Sequence, residues 1–196
     1  MKFKKLDKII KLNNGFIQTS EATEQGISRA YFLEYVKGKE LIRVAHGLYM
    51  TKDTWDDQIF VLQVRYPNAI FSHETAAFML NLSEREPFRI SLTLPTGTSS
   101  SRLNKEGIEV YKIKEELFDL GLIETQTTSG NKVRSYNMER TFCDLVRNRN
   151  NIEFQELQSF IKAYFQHKEK NIPKLMRYAK QFSVEKIIRQ YMDVLV

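Results

Sequence analysis

The sequence predicts an α+β protein with a helical head, a mixed middle and a helical tail, on three observations. Within residues 1–54 apolar residues recur at helical spacing, then break into two short strand-like runs joined by Ala45-His46-Gly47. Between residues 88 and 136 the apolar runs are short, strand-like and separated by turn residues. From Asn137 onward only helical spacing recurs. The composition, 42% apolar and 28% charged over 196 residues, suits one globular domain or two small ones.

The head begins with a helix, because Phe3, Leu6, Ile9 and Ile10 share a face and lysines fill the gaps. Asn13-Asn14-Gly15 ends it, since Asn and Gly accept the left-handed geometry of a helix C-terminus. Phe16-Ile17 reads as an apolar link. Ser20 is placed to cap a second short helix, with Glu21 and Glu24 behind it and Gly26 closing it. Ser28 is placed to cap a third, which stops at Gly38. On a wheel of 100° per residue, Ala30, Leu33 and Val36 fall on one side and are expected to pack inward. Ser28, Tyr31 and Tyr35 fall opposite, facing outward, with Arg29 on the edge and Phe32 between the faces.

After Gly38, the runs Leu41 to Val44 and Leu48 to Thr51 form a hairpin around the Ala45-His46-Gly47 turn. Three helices followed by a hairpin is the order of a winged helix-turn-helix, in which the third helix enters the DNA major groove. The hairpin is the wing, and it carries Arg43, His46 and Lys52 toward phosphates.

A domain boundary is expected near Thr54, giving a DNA-binding head (1–54) and a second domain (55–196). Residues 56–66 are helical, and Ser72 caps a short helix from His73 to Leu80. Phe88 to Pro95 alternates, with Phe88, Ile90, Leu92 and Leu94 on one face of a half-buried strand. Thr96 to Ser101 is a loop; Ile108 to Ile113, Leu122 to Thr128 and Lys132 to Tyr136 are further strands. The tail helices include one with Pro173 in its first turn and one capped by Ser183.

Charge is distributed unevenly. Residues 1–54 carry 10 Lys/Arg against 6 Asp/Glu, residues 55–146 carry 10 against 13, and residues 147–196 carry 10 against 5. A basic head and tail around an acidic middle suit a polyanionic partner. One cysteine, Cys143, excludes an internal disulfide, and its apolar neighbours mark it as a core thiol. The longest apolar run, Ala76 to Leu80, is too short for a membrane span, and the start has no signal-peptide core. A cytoplasmic location is the expectation.

Ser72-His73-Glu74 lacks the second histidine of a zinc-protease helix, and no Gly-x-Ser-x-Gly elbow occurs. The cap role of Ser72, with Glu74 at the positive helix end, accounts for the triplet. His46, His73 and His167 are far apart and give no zinc spacing, and no glycine loop cradles a phosphate. No cofactor or metal is expected, and no enzyme activity. Arg134, Arg140, Arg147 and Arg149 form a looser basic group, read as a solvated face or a toxin or nucleic-acid contact.

The runs GISRAYFLEYVKGKELIRVAHGLYM, IFSHETAAFMLNLSEREPFRISLTLPTG and NMERTFCDLVR, in that order, resemble the AbiEi family of antitoxins and transcriptional autorepressors in bacterial type IV toxin–antitoxin (abortive-infection) systems. The resemblance covers nearly the whole chain. It implies an N-terminal winged helix-turn-helix, a mixed α/β domain ending in a helical bundle, and binding to inverted repeats upstream of its own operon. It also implies a C-terminal domain that counters a nucleotidyltransferase-like toxin without a stable complex. Gly38, Leu41, Gly47 and Tyr49 fall on the family's hairpin framework. Ser28, Arg29, Tyr31 and Tyr35 occupy the recognition-helix positions, and Lys2, Lys4, Lys5, Lys39, Arg43, His46 and Lys52 are the expected phosphate contacts. The sequence shows no dimerisation face, so a monomer, or weak self-association on DNA, is expected. Two other readings stand beside this one: a winged-helix regulator whose second domain senses a ligand, and a nuclease or transferase using the central acids.

Overall fold

The computed structural model describes residues 2–195, with backbone alone for Lys2, Val194 and Leu195. It is α+β, in two compact units: residues 1–67 with 126–133, and residues 68–125 with 134–196. The division at Pro67, rather than near Thr54, follows from packing. Phe60, on the helix after Thr54, packs edge-on against Phe16 with ring centroids 5.0 Å apart, and Asp57 bonds within the same unit.

The first unit runs α1 (Lys2–Leu12), β1 (Phe16–Gln18), α2 (Thr19–Glu24), α3 (Arg29–Gly38), β2 (Ile42–Ala45), β3 (Leu48–Met50) and α4 (Gln58–Arg65). Asn14 and Gly15 take left-handed φ of 50° and 91°, which stops α1 as its Asn-Asn-Gly ending requires. Phe16-Ile17 is a strand and not merely a link: β1 pairs antiparallel with β3, which pairs with β2, in the order β1-β3-β2. The second helix starts at Thr19, one residue ahead of the expected cap Ser20, because the Glu21 carboxylate reaches back to accept from Gln18 N–H at 2.7 Å. Ser28 does cap α3, accepting from Tyr31 N–H at 3.4 Å.

The inward face of α3 differs from the wheel's assignment. Phe32 and Tyr35 are buried with Leu6, Ile17, Ala22 and Ile27, whereas Ala30 is exposed and Leu33 is 45% exposed. Aromatic area outweighs leucine here, and the Tyr35 hydroxyl is satisfied by donating to Asp7 Oδ1 at 2.7 Å. Burial, then the Asp7 bond, pushes the Tyr35 phenol well above its usual range.

The second unit contains β4 (Ile70–Phe71), α5 (His73–Met79), β5 (Ser91–Pro95), α6 (Ser101–Lys105), β6 (Glu109–Ile113), β7 (Leu122–Gln126), β8 (Lys132–Tyr136), α7 (Met138–Arg147), α8 (Phe154–Gln166), α9 (Ile172–Gln181) and α10 (Glu185–Leu195). The sheet order is β6-β5-β4-β8-β7, with β5 antiparallel to β4 and parallel to β6. The hairpin tip between β7 and β8, residues 126–133, belongs to the first unit. The expected half-buried strand is shorter, starting at Ser91 and leaving Phe88 95% exposed. Ser91 to Leu94 are buried on both faces of the strand, whose edges pair with β4 and β6, and Ser91 and Thr93 are satisfied by internal hydrogen bonds.

Asn137 caps α7 through Arg140 N–H at 3.0 Å, and Asn171 caps α9 ahead of Pro173. Ser183 does not cap α10. It takes φ 58° in the turn that closes α9, and the first α10 bonds fall on the Val184 carbonyl. Cys143 is fully buried, and burial raises its thiol far above a reactive range. No helix among the described residues is long and apolar enough to cross a membrane.

Candidate nucleic-acid interface

Because Phe32 and Tyr35 anchor α3, its opposite side is presented outward. Arg29, Leu33 and Lys37 follow one another at four-residue intervals there, with Ala30 and Glu34 alongside, all exposed. Of the four expected recognition residues, Arg29 and Ser28 are exposed. Tyr31 is half-buried with its ring 4.9 Å from Phe3, and Tyr35 is core. Leu33 and Lys37 were missed by sequence reasoning. Their i, i+4 and i+8 spacing from Arg29 is the signal that finds them once Tyr35 is turned inward.

The expected phosphate contacts divide into two groups. Arg43 and His46 are exposed on the β2–β3 hairpin, and Arg43 Nε donates to the Ala45 carbonyl at 3.3 Å. Lys4 and Lys5 are exposed on α1, and the side chain of Lys2 lies outside the described residues. Lys39 and Lys52 are already engaged, at 3.0 Å from Asp7 and 2.6 Å from Glu40. Exposed pairs of this kind contribute little and are screened by salt, so a phosphate can take over either lysine.

The basic group in the second unit is not one surface. Arg140 is 1% exposed and belongs to the interior: Nε meets Asp144 Oδ2 at 2.9 Å, and its guanidinium lies 4.0 Å from the Tyr136 ring. Sequence periodicity cannot show this, because the burial is made by β8, α7 and the turn after α9. Arg147 is exposed, Arg134 lies 3.6 Å from Asp119, and Arg149 Nη1 donates to the Val146 carbonyl at 3.1 Å.

Ser72-His73-Glu74 is more than a cap. Ser72 stands at the N-cap position, but its hydroxyl makes no cap bond; it meets His73 Nδ1 at 3.0 Å and accepts from Thr93 Oγ1 at 2.9 Å. His73, at φ 50°, stacks on Tyr111 with ring centroids 3.4 Å apart. His73, Thr93 and Tyr111 line a cleft of about 170 Å³ together with Lys112, Arg140, Asp144 and Arg147. Burial, then the positive charges of Arg140 and Arg147, holds His73 well below the usual histidine range, so it is neutral.

Glu74 is pushed up to about 7, by burial first and then by the charges of Glu109 and Glu156. Its unfolded value is 4.5, so ionising it in the folded chain costs stability. That cost is absent below pH 4.5 and complete above pH 7. Glu74→Gln should therefore stabilise the protein at pH 8 by about 2–3 kcal/mol and leave it unchanged near pH 4, read by urea unfolding at both pH values. Equal effects at the two pH values would refute the assignment.

No protein-family model matches the sequence, and no curated protein matches it. The fold is similar to that in the crystal structure of the RV2827C protein from Mycobacterium tuberculosis, at a TM-score of 0.54 and 14% identity. The match covers 85% of this chain and 66% of that one, so this chain spans just under two thirds of its neighbour's length. At that identity the likeness is one of fold alone.

Proposed function

We propose that the first unit is a winged helix-turn-helix and that the chain is a DNA-binding repressor. The observation that carries this reading is the pairing of an outward stripe, Arg29–Leu33–Lys37, with a hairpin that exposes Arg43 and His46. Arg29 and Lys37 supply donors to guanine edges or phosphates, and Leu33 and Ala30 suit contact with thymine methyl groups. The aromatics beneath hold the helix in place rather than reading bases. The antitoxin role, against a nucleotidyltransferase-like toxin and without a stable complex, is proposed on the family resemblance of the sequence.

The test is fluorescence anisotropy with the chain's own upstream DNA and a scrambled duplex across a salt series. Cognate DNA should bind more tightly, with log K falling linearly in log salt by about 0.9 for each neutralised phosphate. Arg43→Ala should weaken both duplexes and reduce that slope by about one. Arg29→Ala should cost about 1–3 kcal/mol on cognate DNA alone. Equal loss on both duplexes would remove Arg29 as a base contact, and equal wild-type binding to both would remove the operator-reader role. A second reading, a regulator whose second unit senses a small ligand, is favoured by the His73–Arg147 cleft.

A further inference from the structure

The cleft in the second unit has one chemical bias, toward donors. Thr93 donates to the Ser72 hydroxyl, whose oxygen lies 3.0 Å from His73 Nδ1. In the tautomer whose Nδ1 accepts from the Ser72 hydroxyl, the ring proton sits on Nε2 and His73 brings an N–H donor to the lining. Arg140 spends Nε on Asp144 and Nη1 on the carbonyls of Leu117 and Leu120, which leaves Nη2 without an acceptor among the described residues. Lys112 and Arg147 add two further cations to the lining; Lys112 Nζ is held by the Thr98 carbonyl at 2.5 Å. The one carboxylate there, Asp144, is committed to Arg140 at 2.9 Å and faces Arg147 at 3.9 Å. Glu109 stands outside the lining, bonded to the Tyr111 hydroxyl at 2.9 Å.

Three cations against one carboxylate leave a surplus of two positive charges, and the geometry points to a site for one dianionic phosphoryl group of a phosphomonoester. Its oxygens accept from Arg140 Nη2, Arg147, Lys112 and His73 Nε2–H, the charge-assisted bonds that anion recognition uses. At about 170 Å³ the cleft is smaller than the roughly 300–1,000 Å³ of sites that enclose a whole organic ligand. It therefore takes the phosphoryl group and leaves the ester's remainder outside. A backbone phosphodiester, with one charge on two non-bridging oxygens against a monoester's two charges on three, matches the surplus less well. This site is independent of the DNA-binding reading, since its residues lie in the second unit and the proposed reading helix in the first.

Calorimetric titration of the full chain tests it, with inorganic phosphate, AMP and dimethyl phosphate at constant ionic strength. Phosphate and AMP should bind saturably, and dimethyl phosphate at least ~10-fold more weakly. Arg147→Gln and Lys112→Gln should each weaken phosphate binding by ~10-fold, with thermal unfolding of the free protein unchanged in Lys112→Gln. Equal binding of the diester would overturn the phosphomonoester assignment. A heat no different from potassium chloride, or wild-type affinity in both variants, would overturn the site.

Discussion

Arg140→Met should destabilise the second unit by about 3–5 kcal/mol, because it strands a buried carboxylate. Asp144 is 2% exposed, and burial already pushes its carboxyl upward against the pull of Arg140 and Arg147. Removing Arg140 leaves Asp144 only a contact at 3.9 Å with Arg147. It also orphans the carbonyls of Leu117 and Leu120, each 2.8 Å from Nη1, and empties the slot between Tyr136 and Phe182, whose rings lie 4.0 and 4.2 Å from the guanidinium. The double replacement Arg140→Met, Asp144→Leu should recover part of the loss, since no charge is then buried unpaired. Urea unfolding of the three variants decides the matter. A single-variant loss under about 1 kcal/mol would mean that water reaches the pair. The same region explains Gly121: at φ 82°, a Cβ there would fall 2.7 Å from Arg140 Cβ, so no other residue fits without a shift.

The second large effect is expected at Asp57. This buried carboxylate accepts from Phe60 N–H at 3.0 Å, Thr127 Oγ1 at 2.6 Å and Asn131 Nδ2 at 2.8 Å. It thus caps α4 and holds the 126–133 turn within the first unit with one side chain. Asp57→Ala strands three donors, at a cost of about 3 kcal/mol. Hydrogen exchange should show where: the amides of Thr127 and Gly130, which bond across the turn, should lose protection before the core amides of α3. Unchanged protection in the turn would show that the strands, and not Asp57, hold it.

Sequence reasoning found the features that depend on near neighbours. The Ser28 cap, the Asn14-Gly15 stop, the Ala45-His46-Gly47 turn and the Pro173 helix start are each set by residues within four positions of one another. Cys143 in the core was legible too, from its apolar neighbours. The inward face of α3 was not, because a hydropathy wheel ranks Leu33 above Tyr35. The choice is made by residues from elsewhere in the chain: Asp7 for the Tyr35 hydroxyl and Tyr49 against Phe32. Arg140 was misassigned for a related reason. A charged side chain reads as surface until an acid one helical turn away and two distant carbonyls are brought around it.

The cleft shows the division most sharply. His73, Thr93, Lys112, Arg140 and Arg147 come from a helix start, two strands and both ends of α5's distant partner α7, and no spacing in the sequence joins them. What the sequence by itself determined is the order of most helices and strands, the Ser28 cap, the Asn14-Gly15 and Ala45-His46-Gly47 turns, and a basic head. Local sterics and hydrogen bonding act over a few residues, so a single stretch of chain carries them. The tertiary structure decided which aromatic faces inward, which arginine is interior and which donors converge. Those outcomes depend on strand pairing and packing between residues far apart in the chain, where burial energy and hydrogen-bond satisfaction are shared among many segments at once.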